Sequence, residues 1–246
     1  MPAVPFHGIL LSMKDVHETD RLCTIFSPDE GRVTMLAKGA RRITSRKAGT
    51  LQLFSEIKGI KYEARSTPLL NEAITLTTPK ALRSDTDLQA YAHYMAEVLI
   101  KFLPASEPLP QLFTLLQESL AALNTRQRPQ LLLARFIVRF LENQGYAPLL
   151  TNCQECGESF QIQAPYFDYR EGAFVCESDR TPTTEPIRVR ILKTLHFLST
   201  SSVVDMMKVS LTEPDAREAL LLANNFLSAR YQVEVNAYSF LNATNP

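Results

Sequence analysis

Up to about residue 80, apolar and polar residues follow one another in short runs that are typical of β-strands. Polar, glycine or proline residues, such as those in SPDEG, separate these runs. The pattern predicts strands in the segments FHGILLS, RLCTIFS, GRVTMLAKG, LQLFSEIKGI and LLNEAITLT. Five short strands in about 75 residues suit a small antiparallel barrel, and an OB-type barrel is one such fold. The number of strands does not distinguish it from an SH3-like barrel.

From Ser84 onward the apolar residues recur at helical spacing. The first helix begins at capping residues Ser84 and Asp85 and stops at Pro104. Four further helices are predicted within PLPQLFTLLQESLAAL, RPQLLLARFIVRFLENQG, PIRVRILKTLHFLS and TEPDAREALLLANNFLSARY. Thr212 is the predicted N-cap of the last of them. We therefore expect a multi-domain α+β protein: a barrel over residues 1–80, then a helical domain over residues 81–246.

The segment from 148 to 186 has no regular period and holds three of the four cysteines. We expect a small, zinc-ribbon-like cysteine subdomain inserted in the helical domain over residues 149–182. Cys153 and Cys156 form a C-x-x-C pair, and Cys176 follows after 19 residues. A second C-x-x-C pair at this separation would indicate structural zinc, but position 179 is Asp. A carboxylate can ligate zinc, so the sequence leaves open a Cys₃Asp site or a former zinc knuckle that folds without metal.

The basic residues are unevenly distributed. The chain has 26 basic and 26 acidic residues, yet residues 1–80 hold 12 Lys and Arg against 8 Asp and Glu. Five of the ten residues from 38 to 47 are basic and none is acidic. A solvated surface usually mixes both signs, so this run indicates an anion site. The candidate DNA-binding residues are Lys38, Arg41, Arg42, Arg46 and Lys47.

Five such contacts to single-stranded DNA would give a log–log salt dependence of roughly −3.5. A solvated charged loop is the alternative that the run alone leaves open.

Several classes of protein find no support in the sequence. It lacks H-E-x-x-H, G-x-S-x-G and the phosphate-binding G-x-x-x-x-G-K-[ST], so we expect neither an enzyme nor a nucleotide cofactor. No run approaches the roughly 18 apolar residues of a membrane helix. The N-terminus does not resemble a signal peptide, and four unevenly spaced cysteines do not resemble a disulfide scaffold. We expect a cytoplasmic protein with reduced thiols and no membrane contact.

Taken together, these residues resemble the RecO family of bacterial recombination mediators. In the first 80 residues the resemblance rests on GILL from Gly8, on Glu18 and Asp20, and on AKGARR from Ala37. Later it rests on GYAP from Gly145, on the CQECG that begins at Cys153, and on Phe167, Gly172 and Cys176. The chain departs from the family where a glycine pair reads Gly172-Ala173 and where the fourth cysteine is Asp179.

The resemblance implies an N-terminal OB barrel, a helical C-terminal domain and a cysteine-bearing subdomain. It also implies a mediator of DNA repair and recombination that binds single- and double-stranded DNA, anneals complementary strands and helps to load recombinase. The implied partners are RecR and single-stranded DNA-binding protein. A different class remains open: a non-enzymatic adaptor whose barrel binds acidic peptides, with DNA binding incidental.

Overall fold

The computed structural model describes residues 2–42, 45–160 and 164–244 of the 246-residue chain. The side chains of Arg46, Ala48, Phe240 and residues 242–244 lie outside this description. The chain divides into two compact units. One contains residues 1–124 with 239–246, and the other contains residues 125–238.

Five strands form a closed barrel in the first unit, in the spatial order β1-β2-β3-β5-β4. The N-terminal half of β1 pairs with β4 and its C-terminal half pairs with β2, all antiparallel. β3 meets β5 in parallel and closes the barrel. This connectivity is that of the OB fold, so the predicted barrel is confirmed. The strands are β1 (Ala3–Val16), β2 (Asp20–Ser27), β3 (Gly31–Ala37), β4 (Glu56–Tyr62) and β5 (Leu69–Thr77).

The barrel core follows from the alternation in the strands. On β3, Val33, Met35 and Ala37 point inward and are buried, while the residues between them are partly exposed. Cys23 on β2 is 0% exposed and belongs to the same cluster, as expected for a small buried hydrophobe. Burial raises the pKa of its thiol to about 11, so this cysteine stays protonated at neutral pH.

The segment between β3 and β4 differs from the prediction. Residues 51–55 do not extend β4; Leu51 and Phe54 are buried in a turn, and Phe54 has a φ of 65°. A short helix, α1 (Arg46–Thr50), precedes this turn. Ser45 is its N-cap, and the Ser45 side chain accepts a hydrogen bond from the Lys47 N–H. The alternation in LQLF reflects burial against the barrel and not strand pairing, which periodicity alone does not distinguish.

Two predicted helices, α2 (Thr86–Phe102) and α3 (Pro110–Leu123), belong to the unit that contains the barrel. Asp85 caps α2 by accepting a hydrogen bond from the Leu88 N–H at 3.2 Å. α2 packs against β1, and α3 packs against α2 and β2. The division of the chain after residue 80 stays a prediction.

The second unit is built around α4 (Pro129–Asn143), which packs against α5 (Val189–Thr200) and α7 (Glu213–Tyr231). These three helices lie where the sequence predicts them. Two short helices were not predicted: α6 (Val203–Lys208) in this unit, and α8 (Ala237–Thr244), most of which belongs to the first unit. Across the described ranges, no helix combines the length and the apolar character needed to span a bilayer.

The irregular cysteine segment contains a small sheet. β6 (Tyr166–Asp168) lies at its centre and pairs antiparallel with β7 (Ala173–Val175) and β8 (Thr184–Pro186). A single 3₁₀ turn over Glu177–Asp179 connects β7 toward β8. Three-residue strands fall below the length that sequence alternation can identify.

The N-cap of α7 offers a test of this helix. Thr212 Oγ1 accepts a hydrogen bond from the Asp215 N–H at 3.3 Å. Because that donor has no partner within the helix, Thr212→Ala is expected to reduce stability by about 1 kcal/mol. The melting temperature should fall by about 2–4 °C, measured by circular dichroism. Thr212→Ser keeps the hydroxyl and is the matched control; equal melting temperatures for both variants would contradict the assigned cap.

Candidate nucleic-acid interface and candidate metal centre

The basic run begins in a turn that the β1–β2 hairpin holds. After β3 ends at Ala37, the Gly39 N–H donates to Asp20 Oδ1 at 2.8 Å and the Arg41 N–H donates to the Thr19 carbonyl at 2.9 Å. Gly39 has a φ of +65°, a conformation that favours glycine. We call residues 38–42 the basic turn and residues 17–20 the hairpin tip.

The basic turn has three exposed cations, Arg41 and the pair Lys38 and Arg42. Within the described ranges, neither Lys38 nor Arg42 forms an ion pair at salt-bridge distance. Lys38 lies near enough to Asp20 to help lower the pKa of that carboxyl, although the Gly39 N–H contributes more. Lys38 and Arg42 therefore present one ammonium and one guanidinium group to solvent, both suited to phosphate oxygens.

Arg41 is directed toward the hairpin. Its Nε lies 3.3 Å from Asp15 Oδ2, and its Nη1 donates to the Glu18 carbonyl at 3.3 Å. Asp15 also pairs with Arg21 at 3.0 Å. Because the Arg41 guanidinium already contacts a carboxylate and a backbone carbonyl, it is less available to a phosphate than the Lys38 or Arg42 side chain.

Lys47 and Arg46 lie on α1 and not on the turn. Lys47 Nζ donates to the Leu70 carbonyl at 2.8 Å, and partial burial lowers the pKa of its ammonium group. It therefore contacts β5 in preference to solvent. The side chain of Arg46 lies outside the described residues.

Other exposed basic residues near the basic turn were not among the candidates. Lys14 is exposed on β1, and His17 is exposed in the hairpin tip. Arg65 is exposed in the β4–β5 loop, which meets the end of β3 where the Leu36 N–H donates to the Pro68 carbonyl at 2.8 Å. The β1–β2 and β4–β5 loops of OB folds commonly bind oligonucleotides, so loop position was the available signal for His17 and Arg65.

The cysteine segment brings together the four predicted ligands. One ligand atom from each of Cys153, Cys156, Cys176 and Asp179 lies within 4.8 Å of all the others. The Cys153 and Cys176 thiols donate to Asp179 Oδ2 at 3.2 and 3.1 Å. The sulfur atoms of Cys156 and Cys176 are 3.7 Å apart, and the cysteines are free thiols.

The separation of Cys156 from Cys176, and those of Asp179 from the Cys153 and Cys176 thiols, are close to the separations in a tetrahedral zinc site. Zinc–sulfur bonds of about 2.3 Å place two sulfur atoms about 3.8 Å apart at the tetrahedral angle, close to the separation of Cys156 and Cys176. A sulfur and a carboxylate oxygen should be about 3.5 Å apart, so the Asp179 contacts would lengthen by a few tenths of an ångström. The segment therefore forms a possible metal-binding group of the kind that the spacing predicts.

Hydrogen bonds join the thiols to the carboxylate. Donation from the three thiols, led by Cys156, lowers the pKa of the Asp179 carboxyl. The same contact with Asp179 is the main cause that raises the pKa of the Cys156 thiol to about 12. Because zinc binds thiolates, metal binding would release protons from the cysteines.

Asp168 fixes the chain around these ligands. Its Oδ1 accepts from the Arg170 and Glu171 N–H groups at 2.9 and 3.2 Å. Its Oδ2 accepts from the Thr181 hydroxyl at 2.8 Å. The buried carboxylate thereby joins the β6–β7 turn to the segment that follows Asp179, which no sequence pattern indicated.

Comparison with known proteins gives two family matches. The sequence model described as Recombination protein O N terminal matches residues 1–78, and that described as Recombination protein O C terminal matches residues 83–238.

Curated proteins named DNA repair protein RecO are similar over most of the chain. One from Acetivibrio thermocellus is 24% identical over 237 residues, covering 95% of this chain and 94% of that protein. One from Dehalococcoides mccartyi is 28% identical over 207 residues, covering 83% and 81%. One from Oceanobacillus iheyensis is 29% identical over 202 residues, covering 82% and 77%.

Proposed function

The chain belongs to the RecO family, and from that membership we propose that it is a DNA repair protein that binds DNA by charge and catalyses no reaction itself. The observation that supports the binding site is a pair of exposed cations, Lys38 and Arg42, that form no salt bridge within the described ranges and lie on a turn that the hairpin tip holds in place. Arg41, Arg46 and Lys47 belong to the same basic segment, and Arg41 joins the interface only by exchanging its contact with Asp15 for a phosphate.

Charge, more than base recognition, sets the affinity in this proposal. Arginine and lysine contact phosphate oxygens, which carry no sequence information. Phe54, the aromatic residue nearest to the basic segment along the chain, is 4% exposed and offers no platform for a base. Binding should therefore depend strongly on salt and weakly on sequence.

The family resemblance supports a wider role. The chain would bind single- and double-stranded DNA, anneal complementary strands and help to load recombinase, with RecR and single-stranded DNA-binding protein as partners. Annealing has a physical basis in the same contacts, because bound cations reduce the repulsion between two phosphate backbones. The helical domain would carry the protein contacts, and the protein would act in the cytoplasm.

A structural zinc ion completes the proposal. Cys153, Cys156, Cys176 and Asp179 would hold it, and it would supply folding energy to the segment without taking part in a reaction. A knuckle that folds without metal is the alternative.

The DNA-binding proposal is tested with the full chain and fluorescent single-stranded oligonucleotides. We expect oligo-dT and a mixed sequence of equal length to bind with affinities within about threefold of each other. The log–log salt slope should fall between about −1.4, for two phosphate contacts, and about −3.5, for five. Absence of binding at low salt, or a slope near zero, would contradict the proposal.

The same assay separates DNA binding from the adaptor alternative. A polyglutamate peptide of equal charge is added as a competitor for the labelled oligonucleotide. If the basic turn is a phosphate site, the peptide should release the DNA only at a large excess. Equal competition at equal charge would favour an acidic-peptide site.

A further inference from the structure

A carboxylate lies at the proposed phosphate-binding site, where a negative charge should be unfavourable. Asp20 is the first residue of β2, and Lys38 in the basic turn lies close enough to help lower the pKa of its carboxyl. A negative charge beside bound DNA repels the phosphates. By charge alone, Asp20 should therefore weaken binding.

The hydrogen bonds of Asp20 indicate a different effect. Its Oδ1 accepts from the Gly39 N–H at 2.8 Å, next in sequence to Lys38. The Thr19 hydroxyl donates to the same oxygen at 3.2 Å. A charged acceptor paired with a backbone N–H makes one of the stronger hydrogen bonds available to a surface turn.

Adjacent contacts strengthen the attachment of the turn to the hairpin tip. The Arg41 N–H donates to the Thr19 carbonyl at 2.9 Å, and the Arg41 guanidinium donates to the Glu18 carbonyl at 3.3 Å. Three consecutive hairpin residues thus hold two residues of the turn. Among these contacts, only the Asp20–Gly39 bond is made by a hairpin side chain.

We infer that Asp20 is a positioning residue for DNA binding, which fixes the basic turn so that Lys38 and Arg42 face the phosphates together. The inference rests on the proposed function. A turn already ordered in the free protein loses less conformational entropy when DNA binds, and this gain exceeds the repulsion between the carboxylate and the phosphates.

Glu18 supplies a matched control. Its side chain is exposed, and its contact with the turn is made by its backbone carbonyl. Asp20→Ala and Glu18→Ala therefore remove the same charge from positions two residues apart, but only the first removes a hydrogen bond to the turn. Asp20→Asn removes the charge and keeps an acceptor oxygen.

The experiment measures the affinity of each variant for oligo-dT at 0.1 M salt. Asp20→Ala is expected to weaken binding by about fivefold, the effect of one lost hydrogen bond. Glu18→Ala is expected to strengthen binding, and Asp20→Asn to bind at least as tightly as the wild type. If Asp20→Ala binds more tightly than the wild type, or if Asp20→Asn binds as weakly as Asp20→Ala, the inference is overturned.

Hydrogen exchange in the absence of DNA gives an independent reading. The Gly39 and Arg41 amides should exchange faster in Asp20→Ala than in the wild type, and at wild-type rates in Glu18→Ala. Unchanged exchange in Asp20→Ala would overturn the inference even if that variant is less stable. Failure of the proposed function would give a different result: Lys38→Ala/Arg42→Ala would then bind DNA with the same affinity as the wild type.

Discussion

Replacing Lys38 and Arg42 together by alanine is expected to weaken the binding of single-stranded DNA roughly 25-fold at 0.1 M salt and about tenfold at 0.2 M. Both side chains are exposed on the basic turn. Each phosphate contact releases counterions, and for single strands this release contributes about 0.7 log units of affinity per tenfold reduction in salt. Two contacts therefore account for the loss, and the loss shrinks as salt rises. Fluorescence anisotropy at the two salt concentrations measures both values.

The matched control removes the same two residue types elsewhere in the same unit. Lys80 and Arg83 are both exposed on a short 3₁₀ turn before α2. The double variant Lys80→Ala/Arg83→Ala changes the net charge by the same amount, so it reports the effect of overall charge alone. We expect a change of less than about twofold. The nine residues of β5 separate these side chains from the end of β3, roughly 25 Å at about 3.3 Å per residue, which exceeds the Debye length at 0.1 M salt. Equal losses in the two double variants would show that the basic turn is not the contact site.

Arg41→Ala alone should have a smaller effect than Arg42→Ala, although the sequence assigns both the same role. The reason is the contact of Arg41 with Asp15 and with the Glu18 carbonyl.

The second large effect concerns the fourth metal ligand. Purified protein is expected to contain about one zinc ion per chain, held by three thiolates and Asp179. Asp179→Ala should lower the zinc affinity by at least roughly a hundredfold, because loss of a direct ligand exceeds the effect of losing an outer-sphere partner. Asp179→Cys should raise it, since structural zinc favours sulfur over oxygen. Competition with a chromogenic chelator measures all three affinities.

Glu177→Ala is the control for Asp179→Ala. Glu177 is an exposed acid in the same 3₁₀ turn, and its carboxylate is not among the converging ligand atoms. Its removal should leave the zinc affinity unchanged. Less than about one zinc in ten chains of wild-type protein, in a preparation that was never exposed to chelator, would favour the knuckle that folds without metal.

The sequence predicted the elements whose periodicity is long or strict. β3 and α4 lie close to the predicted positions because alternation and helical spacing extend over seven and 15 residues. It missed β6, β7 and β8, which have three residues each, and it extended β4 back to Leu51 because buried turn residues resemble a strand.

The candidate sites were predictable in composition but only partly in geometry. The C-x-x-C pair, Cys176 and Asp179 converge as their spacing predicts, since metal ligands have few possible arrangements. The basic run in the sequence does not show which of its cations contact other parts of the fold. Lys47 contacts the Leu70 carbonyl from its position on α1, and Arg41 contacts Asp15 on β1. Both contacts join residues far apart in the chain, so the local density of basic residues in the sequence does not indicate them.

The salt dependence of DNA binding, compared between the wild type and Lys38→Ala/Arg42→Ala, tests the central claim most directly. The claim is that Lys38 and Arg42 bind the phosphate backbone from a turn that the hairpin tip holds in place. The log–log slope of the variant should be shallower than that of the wild type by about 1.4, twice the single-strand value for one contact. Parallel slopes for the two proteins would contradict the claim, even if their affinities differed.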